Sequence, residues 1–238
     1  MRQKTSLLIA LFMFLFYSFC FAQNEVVSGA WQSTKGDHQT VMIFQDGYFT
    51  QTEFGTNEFI KTWGGPFTFK NNQVIVSIEF NSADSTQVGD KKTFNTSIKN
   101  ESLEMSSSSG TERYQRTDNG KAPLAGVWKI NAREQDGKMV AIHQTGARKT
   151  LKILTGKRFQ WFAINPATKQ FSGTGGGTYT FVDGKYIENI LFFSRDNSRV
   201  GAHLTFDGKI ENSEWHHGGL SSKGENINEI WGKINTER

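Results

Sequence analysis

Between residues 175 and 192 the chain reads GGGTYTFVDGKYIENILF, an alternation of apolar and polar positions interrupted at its centre by Asp183-Gly184. Asp-Gly is the dipeptide that most readily takes the positive φ angles of a two-residue hairpin turn. With that turn fixed, the register pairs Phe181 with Tyr186, Tyr179 with Glu188, and Gly177 with Ile190. All six residues then share one face of the sheet, because side chains alternate along strands. Five suit a buried surface, and the sixth, Glu188, is a carboxylate among aromatics.

The same short alternations recur along the chain. Residues 40–44, 48–54, 61–69, 73–80, 92–98, 103–107 and 112–116 read as strands, punctuated by Asp46-Gly47, Asn71-Asn72 and Asn100-Glu101. With the strand entered through Gly29-Ala30-Trp31, that is about eight strands in about 90 residues, the spacing of a small up-and-down barrel. The polar segment RTDNGKAP, residues 116–123, breaks the pattern and reads as a linker. A further strand is expected at 210–217, after an Asp207-Gly208 turn. No long stretch carries helical periodicity, so the expected fold is all-β.

The programme then repeats. Gly126-Val127-Trp128 matches Gly29-Ala30-Trp31, and FIKTWGGPFTFKNNQVIVSIEF from Phe59 aligns without a gap on FSGTGGGTYTFVDGKYIENILF from Phe171. Glu112-x-Tyr114-x-Arg116 matches Glu229-x-Trp231-x-Lys233. Start, middle and end recur in the same order, which indicates an internal duplication into two domains. The expected organisation is a signal peptide at 1–22, a first barrel at 23–117, a linker at 118–123 and a second barrel at 124–238.

Gly-x-Trp entering the first strand, with an aromatic and basic closing strand, resembles the lipocalin-like (calycin-type) superfamily. GGGTYT, Tyr186-x-Glu188 and the Glu229-x-Trp231 ending are similar to secreted bacterial lipocalin-like domains of unassigned function. The resemblance implies tandem antiparallel barrels of eight to ten strands with a central cavity, and Trp128 plugging the floor of its barrel.

One repeat serves as the control for the other. Where the second hairpin has Tyr179, Phe181, Tyr186, Glu188 and Ile190, the first has Phe67, Phe69, Val74, Val76 and Ile78, while its opposite face is mostly polar. That difference identifies the inward face and turns Glu188 inward. An ionised carboxylate in an apolar interior costs several kcal/mol unless it is paired. Glu188 is therefore either satisfied by Tyr, Arg or His partners or exposed to a wet cavity of the kind that binds small molecules. The expected ligand is a small amphipathic, aromatic or glycosidic molecule in the cavity of the second barrel, held by Trp161, Tyr179, Tyr186, Glu188, His216 and Arg195, with the first barrel mainly structural.

An alternative makes Glu188 the general base and His216 its partner in a small cofactor-independent isomerase or lyase. Glu214 and His216 share a strand face, which gives a weaker metal-binding alternative. Glycines inside a strand mark bulges, and no helix follows Gly175–Gly177 to cradle a phosphate, so nucleotide binding is discounted. Trp231 is expected in closing-strand packing and Trp63 between the barrels. A third reading is a cell-envelope interaction module with no ligand.

Composition changes this picture in two places. Arg2 and Lys4 precede an apolar run at 7–16 that ends in Cys20 and Ala22, the pattern of a secretory signal, so a secreted or periplasmic location and no stable membrane insertion after cleavage are expected. The only cysteine lies in that segment, which leaves no disulfide, thiol nucleophile or cysteine-ligated metal in the mature chain. Removing the segment leaves 25 basic against 23 acidic residues, scattered rather than striped, which argues against nucleic acid as a partner. A small-molecule ligand and no cofactor are the resulting expectations.

Overall fold

The computed structural model describes residues 25–143, 145–221 and 223–234. The export signal expected at 1–22 lies outside them. The first barrel comprises β1 (Gly29–Lys35), β2 (His38–Gln45), β3 (Tyr48–Phe54), β4 (Phe59–Lys70), β5 (Gln73–Ser77), β6 (Phe80–Asn81), β7 (Lys91–Lys99), β8 (Ser102–Ser107) and β9 (Gly110–Asp118). The second comprises β10 (Gly126–Gln135), β11 (Lys138–Ala141), β12 (Lys149–Leu154), β13 (Arg158–Asn165), β14 (Gln170–Val182), β15 (Lys185–Phe193), β16 (His203–Glu211), β17 (Glu214–Leu220) and β18 (Asn226–Ile234). Pairing of β3 with β4 and of β10 with β18 closes each meander into an eight-stranded antiparallel barrel, with β6 and β11 as extra strands. Closure removes the unpaired edges that an open sheet of this length would expose.

Turn chemistry sets most of the register. Asp46-Gly47, Asn71-Asn72, Asn100-Glu101 and Asp183-Gly184 all take positive φ at both positions, and Phe181, Tyr179 and Gly177 pair with Tyr186, Glu188 and Ile190 as the alternation requires. The expected turn at Asp207-Gly208 does not form. There β16 continues to Glu211, and Asn212-Ser213 makes the turn instead, with φ of 51° and 63°. Gly208 answers a packing need, because a Cβ there would lie 2.9 Å from the Phe181 ring.

The two barrels fit an internal duplication down to their irregularities. A Cβ at Gly65 would meet the Ser77 carbonyl oxygen at 1.9 Å, and one at Gly177 would meet the Asn189 carbonyl oxygen at the same 1.9 Å. Both glycines let two strands cross closely beside a bulge, which in the second barrel falls between Gly176 and Gly177.

The barrels share a core. Val41, Ile43, Tyr48 and Phe54 of β2 and β3 pack outward against Leu151, Ile153, Phe162 and Ile164 of β12 and β13. Phe162 stacks on Phe80 and Tyr48 at ring separations of 4.7 and 5.6 Å. At the centre Gln160 accepts from Thr52 at 3.1 Å and donates to Thr62 and Thr174 at 3.1 and 3.0 Å. Its amide is thereby satisfied on both sides, as a buried polar group must be. Asp118, at the start of the expected linker, accepts from the backbone of Gly156 and Lys157 and from the Thr155 hydroxyl. The connection is thereby pinned to the second barrel.

A core that crosses both barrels couples their stability. Phe162→Ala is expected to cost about 3–5 kcal/mol and to leave one cooperative calorimetric transition at lower temperature. Two separated transitions in the wild-type protein would show that the barrels unfold independently.

Candidate functional site

Each barrel floor is built around the Gly-x-Trp position. The Trp31 indole donates to the Val27 carbonyl at 2.8 Å and the Trp128 indole to the Leu124 carbonyl at 2.9 Å. Arg116 of the closing strand lies 4.0 Å over the Trp31 ring, whereas Lys233 reaches the Ala125 carbonyl instead. Trp128 is buried, as a floor residue should be.

Glu188 points inward and is only 4 % exposed, but its partner is one that the alternation concealed. Lys152 Nζ donates to Glu188 Oε1 at 2.9 Å, and the Tyr186 hydroxyl donates to the same oxygen at 2.9 Å. The ammonium also sits in an aromatic cage, 5.2 Å from the ring centres of Tyr186 and Trp215, 5.3 Å from Trp231 and 5.8 Å from Phe159. These separations fall within cation–π range. Burial and the adjacent Glu188 carboxylate hold the Tyr186 phenol well above its ordinary pKa, so it acts as a donor. At the matching positions of the first barrel stand Met42, opposite Trp31 as Lys152 is opposite Trp128, and Val76. One barrel thus carries an ion pair where the other carries two apolar side chains.

A second buried polar group lies beside the first. His217, 2 % exposed, packs among Phe206, Trp215 and Tyr186 with its Nδ1 3.5 Å from Glu229 Oε2. Glu229 accepts from Arg133 at 2.5 Å and from the Trp231 indole at 2.9 Å. Burial works against the ionised Glu229 carboxyl, yet His217, Arg133 and Lys152 outweigh it and hold the pKa down at about 2. Burial first, and then the Lys152 charge, depress the His217 pKa, leaving a neutral imidazole. Tyr114 donates to Glu112 at 2.7 Å in the first barrel, matching the Trp231–Glu229 bond.

The remaining expected residues separate. Tyr179 and Tyr186 are in ring contact at 5.5 Å, but the Tyr179 hydroxyl is tied to the Thr155 carbonyl. Trp161 faces inward beside Gly175, directly across the ladder from Lys152, and meets Phe193 edge-on at 5.5 Å. Arg195 is turned back onto the Ser172 carbonyl, so Lys152 rather than Arg195 neutralises Glu188. Glu214 and His216 do share a face, but it is the outer one; Trp215 and His217 are the inward pair. Glu188 and His216 therefore stand on opposite sides of the wall. Among the described residues no group of three or more His, Cys, Asp or Glu side chains is arranged to hold a metal. Trp63 does not lie between the barrels but points into the first, against Phe49, Phe94 and Lys92.

Open space is found elsewhere. The mouth of the first barrel is a cup of about 880 Å³ whose wall includes Gln51, Trp63, Phe94, Met105 and Tyr114. Lys35, Lys61, Lys91 and Lys92 also line it. Against the outer face of β16–β18 lies a more open depression of about 730 Å³, bordered by Asp183, Asp207, His216 and Asn228. The interior of the second barrel is instead packed with Phe159, Tyr186, Phe206, Trp215 and Trp231, each at most 3 % exposed. Trp161 takes up space opposite Gly175 that Trp63 takes up opposite Gln51. Comparison of the chain with protein-family models and with curated proteins gives no match to either.

Two outcomes follow from the buried charges. Lys152→Met or Glu188→Val alone is expected to cost about 3–5 kcal/mol by stranding one buried charge, while the double variant, copying Met42 and Val76, regains most of that stability in urea titrations. A loss in the double variant equal to the sum of the two single losses would show that the pair is not coupled. His217, whose pKa is lowered on folding, is also expected to make stability fall as pH drops below 6.5, because the unfolded chain takes a proton that the folded one declines. His217→Met should flatten the profile between pH 7.5 and 5.5. Glu229 contributes only lower, from 4.5 down to about 2, where acid removes its stabilisation. Identical wild-type and variant profiles above pH 5 would mean that folding does not lower the His217 pKa.

Proposed function

We propose that the protein is a non-enzymatic, exported binding protein of lipocalin-like type that holds a small organic molecule in the cup of the first barrel, with the second barrel as a rigid buttress. The observation that carries this reading is the contrast between the barrels. The first keeps an open cup of about 880 Å³ over Trp63, Phe94 and Tyr114, within the size range of small-molecule pockets and of their mixed aromatic and polar character. The second fills the equivalent interior with side chains and places its own ammonium in the aromatic cage.

The same contrast argues against Glu188 as a general base. A catalytic carboxylate must come within hydrogen-bond reach of a substrate proton, whereas Glu188 is buried with Oε1 engaged by Lys152 and Tyr186. The shared core of the barrels supports the buttress role, since β2 and β3 of the cup rest directly on β12 and β13.

Native mass spectrometry of protein purified from its own host tests the assignment. A co-purified small-molecule mass is expected in the wild-type protein and in Glu188→Gln, and its loss is expected in Trp63→Ala with the near-ultraviolet dichroism of the second barrel intact. Retention in Trp63→Ala together with loss in Glu188→Gln would return the site to the second barrel.

A further inference from the structure

The charges around the cup are not balanced locally. Two of its lysines are paired, Lys35 with Glu112 at 2.7 Å and Lys61 with Glu53 at 3.0 Å, and His38 also lies 3.6 Å from Glu53. The third carboxylate on the wall, Asp84, is occupied as a cap. It accepts from the Thr86 backbone and hydroxyl and from the Gln87 amide, and those bonds, with a smaller contribution from the Lys92 charge, hold the carboxyl below its usual pKa. Among the described residues, no carboxylate lies within ion-pair distance of Lys91 or Lys92. Lys92 Nζ instead stands 4.8 Å over the centre of the Trp63 ring.

This arrangement belongs to the first barrel alone. Lys92 pairs with Val76 across the sheet as Leu204 pairs with Glu188, so the inward position held by Lys92 is a leucine in the second barrel. The position of Trp63 is a glycine there, Gly175. An ammonium and an indole thus stand together at two inner-wall positions where the second barrel has a leucine and a glycine. Trp63, largely buried in the wall, and the partly buried Phe94 are in ring contact, 6.1 Å apart and inclined by 33°, and form an apolar wall beside the ammonium.

Resting on the reading that the cup is the binding site, we infer that its ligand class is an amphipathic organic anion. A flat apolar body lies against Trp63 and Phe94, and an attached carboxylate or sulfonate accepts from Lys92. A charged hydrogen bond of this kind replaces hydration of an ammonium already held on the ring, so little ordering is required on binding. The paired lysines leave Lys91 and Lys92 as the cations of the cup without an ion pair among the described residues, and of the two it is Lys92 that stands over the Trp63 ring.

Two fluorescent probes with the same anilinonaphthalene body separate the ligand class from the site. 1-Anilinonaphthalene-8-sulfonate carries an anionic group, and N-phenyl-1-naphthylamine does not. The full-length protein is expected to bind the sulfonate roughly ten-fold or more tightly than the neutral probe, as one charge-assisted bond allows, with the preference shrinking at high salt. Lys92→Met should bring the two affinities to within a few-fold, Lys92→Arg should keep the preference, and Trp63→Ala should weaken both probes. If the neutral probe binds the wild-type cup as tightly as the sulfonate and Trp63→Ala still weakens it, the anion selectivity is overturned while the cup stands. If neither probe binds, or Trp63→Ala affects neither, the cup itself is not the site and the ligand class falls with it.

Discussion

The arrangement of the whole molecule depends on four strands that are buried on both faces. In β2, β3, β12 and β13 the outward side chains pack against the other barrel while the inward ones fill their own. A barrel wall normally has one dry and one wet face, and the wet face gives the sequence its alternation. Here Val41 and Ile43 flank Met42, and Leu151 and Ile153 flank Lys152, so neither face is marked by polarity. Burial of the outer faces joins the barrels through Phe162, Phe80 and Tyr48, and it sets Gln160 where only internal partners can satisfy it. The rigidity of the cup follows from this contact, because two of its eight walls cannot move without opening a hydrophobic core.

With both barrels built on one plan, their differences acquire meaning. The second barrel has Lys152 and Glu188 where the first has Met42 and Val76, and Trp215 and His217 where the first has Leu103 and Met105. Removing two charges from water costs several kcal/mol for each ion, and their attraction repays it only with good geometry and further hydrogen bonds. The Tyr186 hydroxyl and the four rings around Lys152 supply those contacts. The result is a full interior, in which the features that suggest a ligand site are satisfied by the protein itself. The first barrel differs: its floor is apolar and its mouth open, with lysines at the rim and the largely buried Trp63 in the wall of the cup.

Much of the fold was legible because hairpin turns are local. Asp46-Gly47, Asn71-Asn72 and Asp183-Gly184 specify positive φ within two residues, and a tight turn fixes the register of everything that follows. The comparison of the repeats also carried the inward assignment of Glu188, since the Val74-x-Val76-x-Ile78 strand is a clean alternation. Asp207-Gly208 misled because a glycine can be selected by the neighbouring Phe181 ring as readily as by a turn. His216 and His217 were distinguishable only by which face meets the core, and with Trp215 beside them the apolar neighbour was the better guide. Lys152 was the costliest omission. Its twin Met42 was the one signal pointing inward, and the leucine and isoleucine on either side pointed the opposite way.

The sequence by itself therefore determined the all-β class, the doubling of one barrel plan, the turn positions and the side of the sheet on which Glu188 lies. Each of these rests on neighbours within a hairpin, where backbone geometry and alternation act over a few residues. Tertiary structure decided which faces of β12 and β13 are interior, who neutralises Glu188, and which barrel remains open. Those outcomes depend on volumes and charges contributed by strands far apart in the chain: Lys152 meets Glu188 across 36 positions, and Gln160 meets Thr52 across 108. A side chain can fill a space from either of two adjacent walls, as Trp161 and Trp63 do, and only the assembled barrel shows whether that space is filled or left for a ligand.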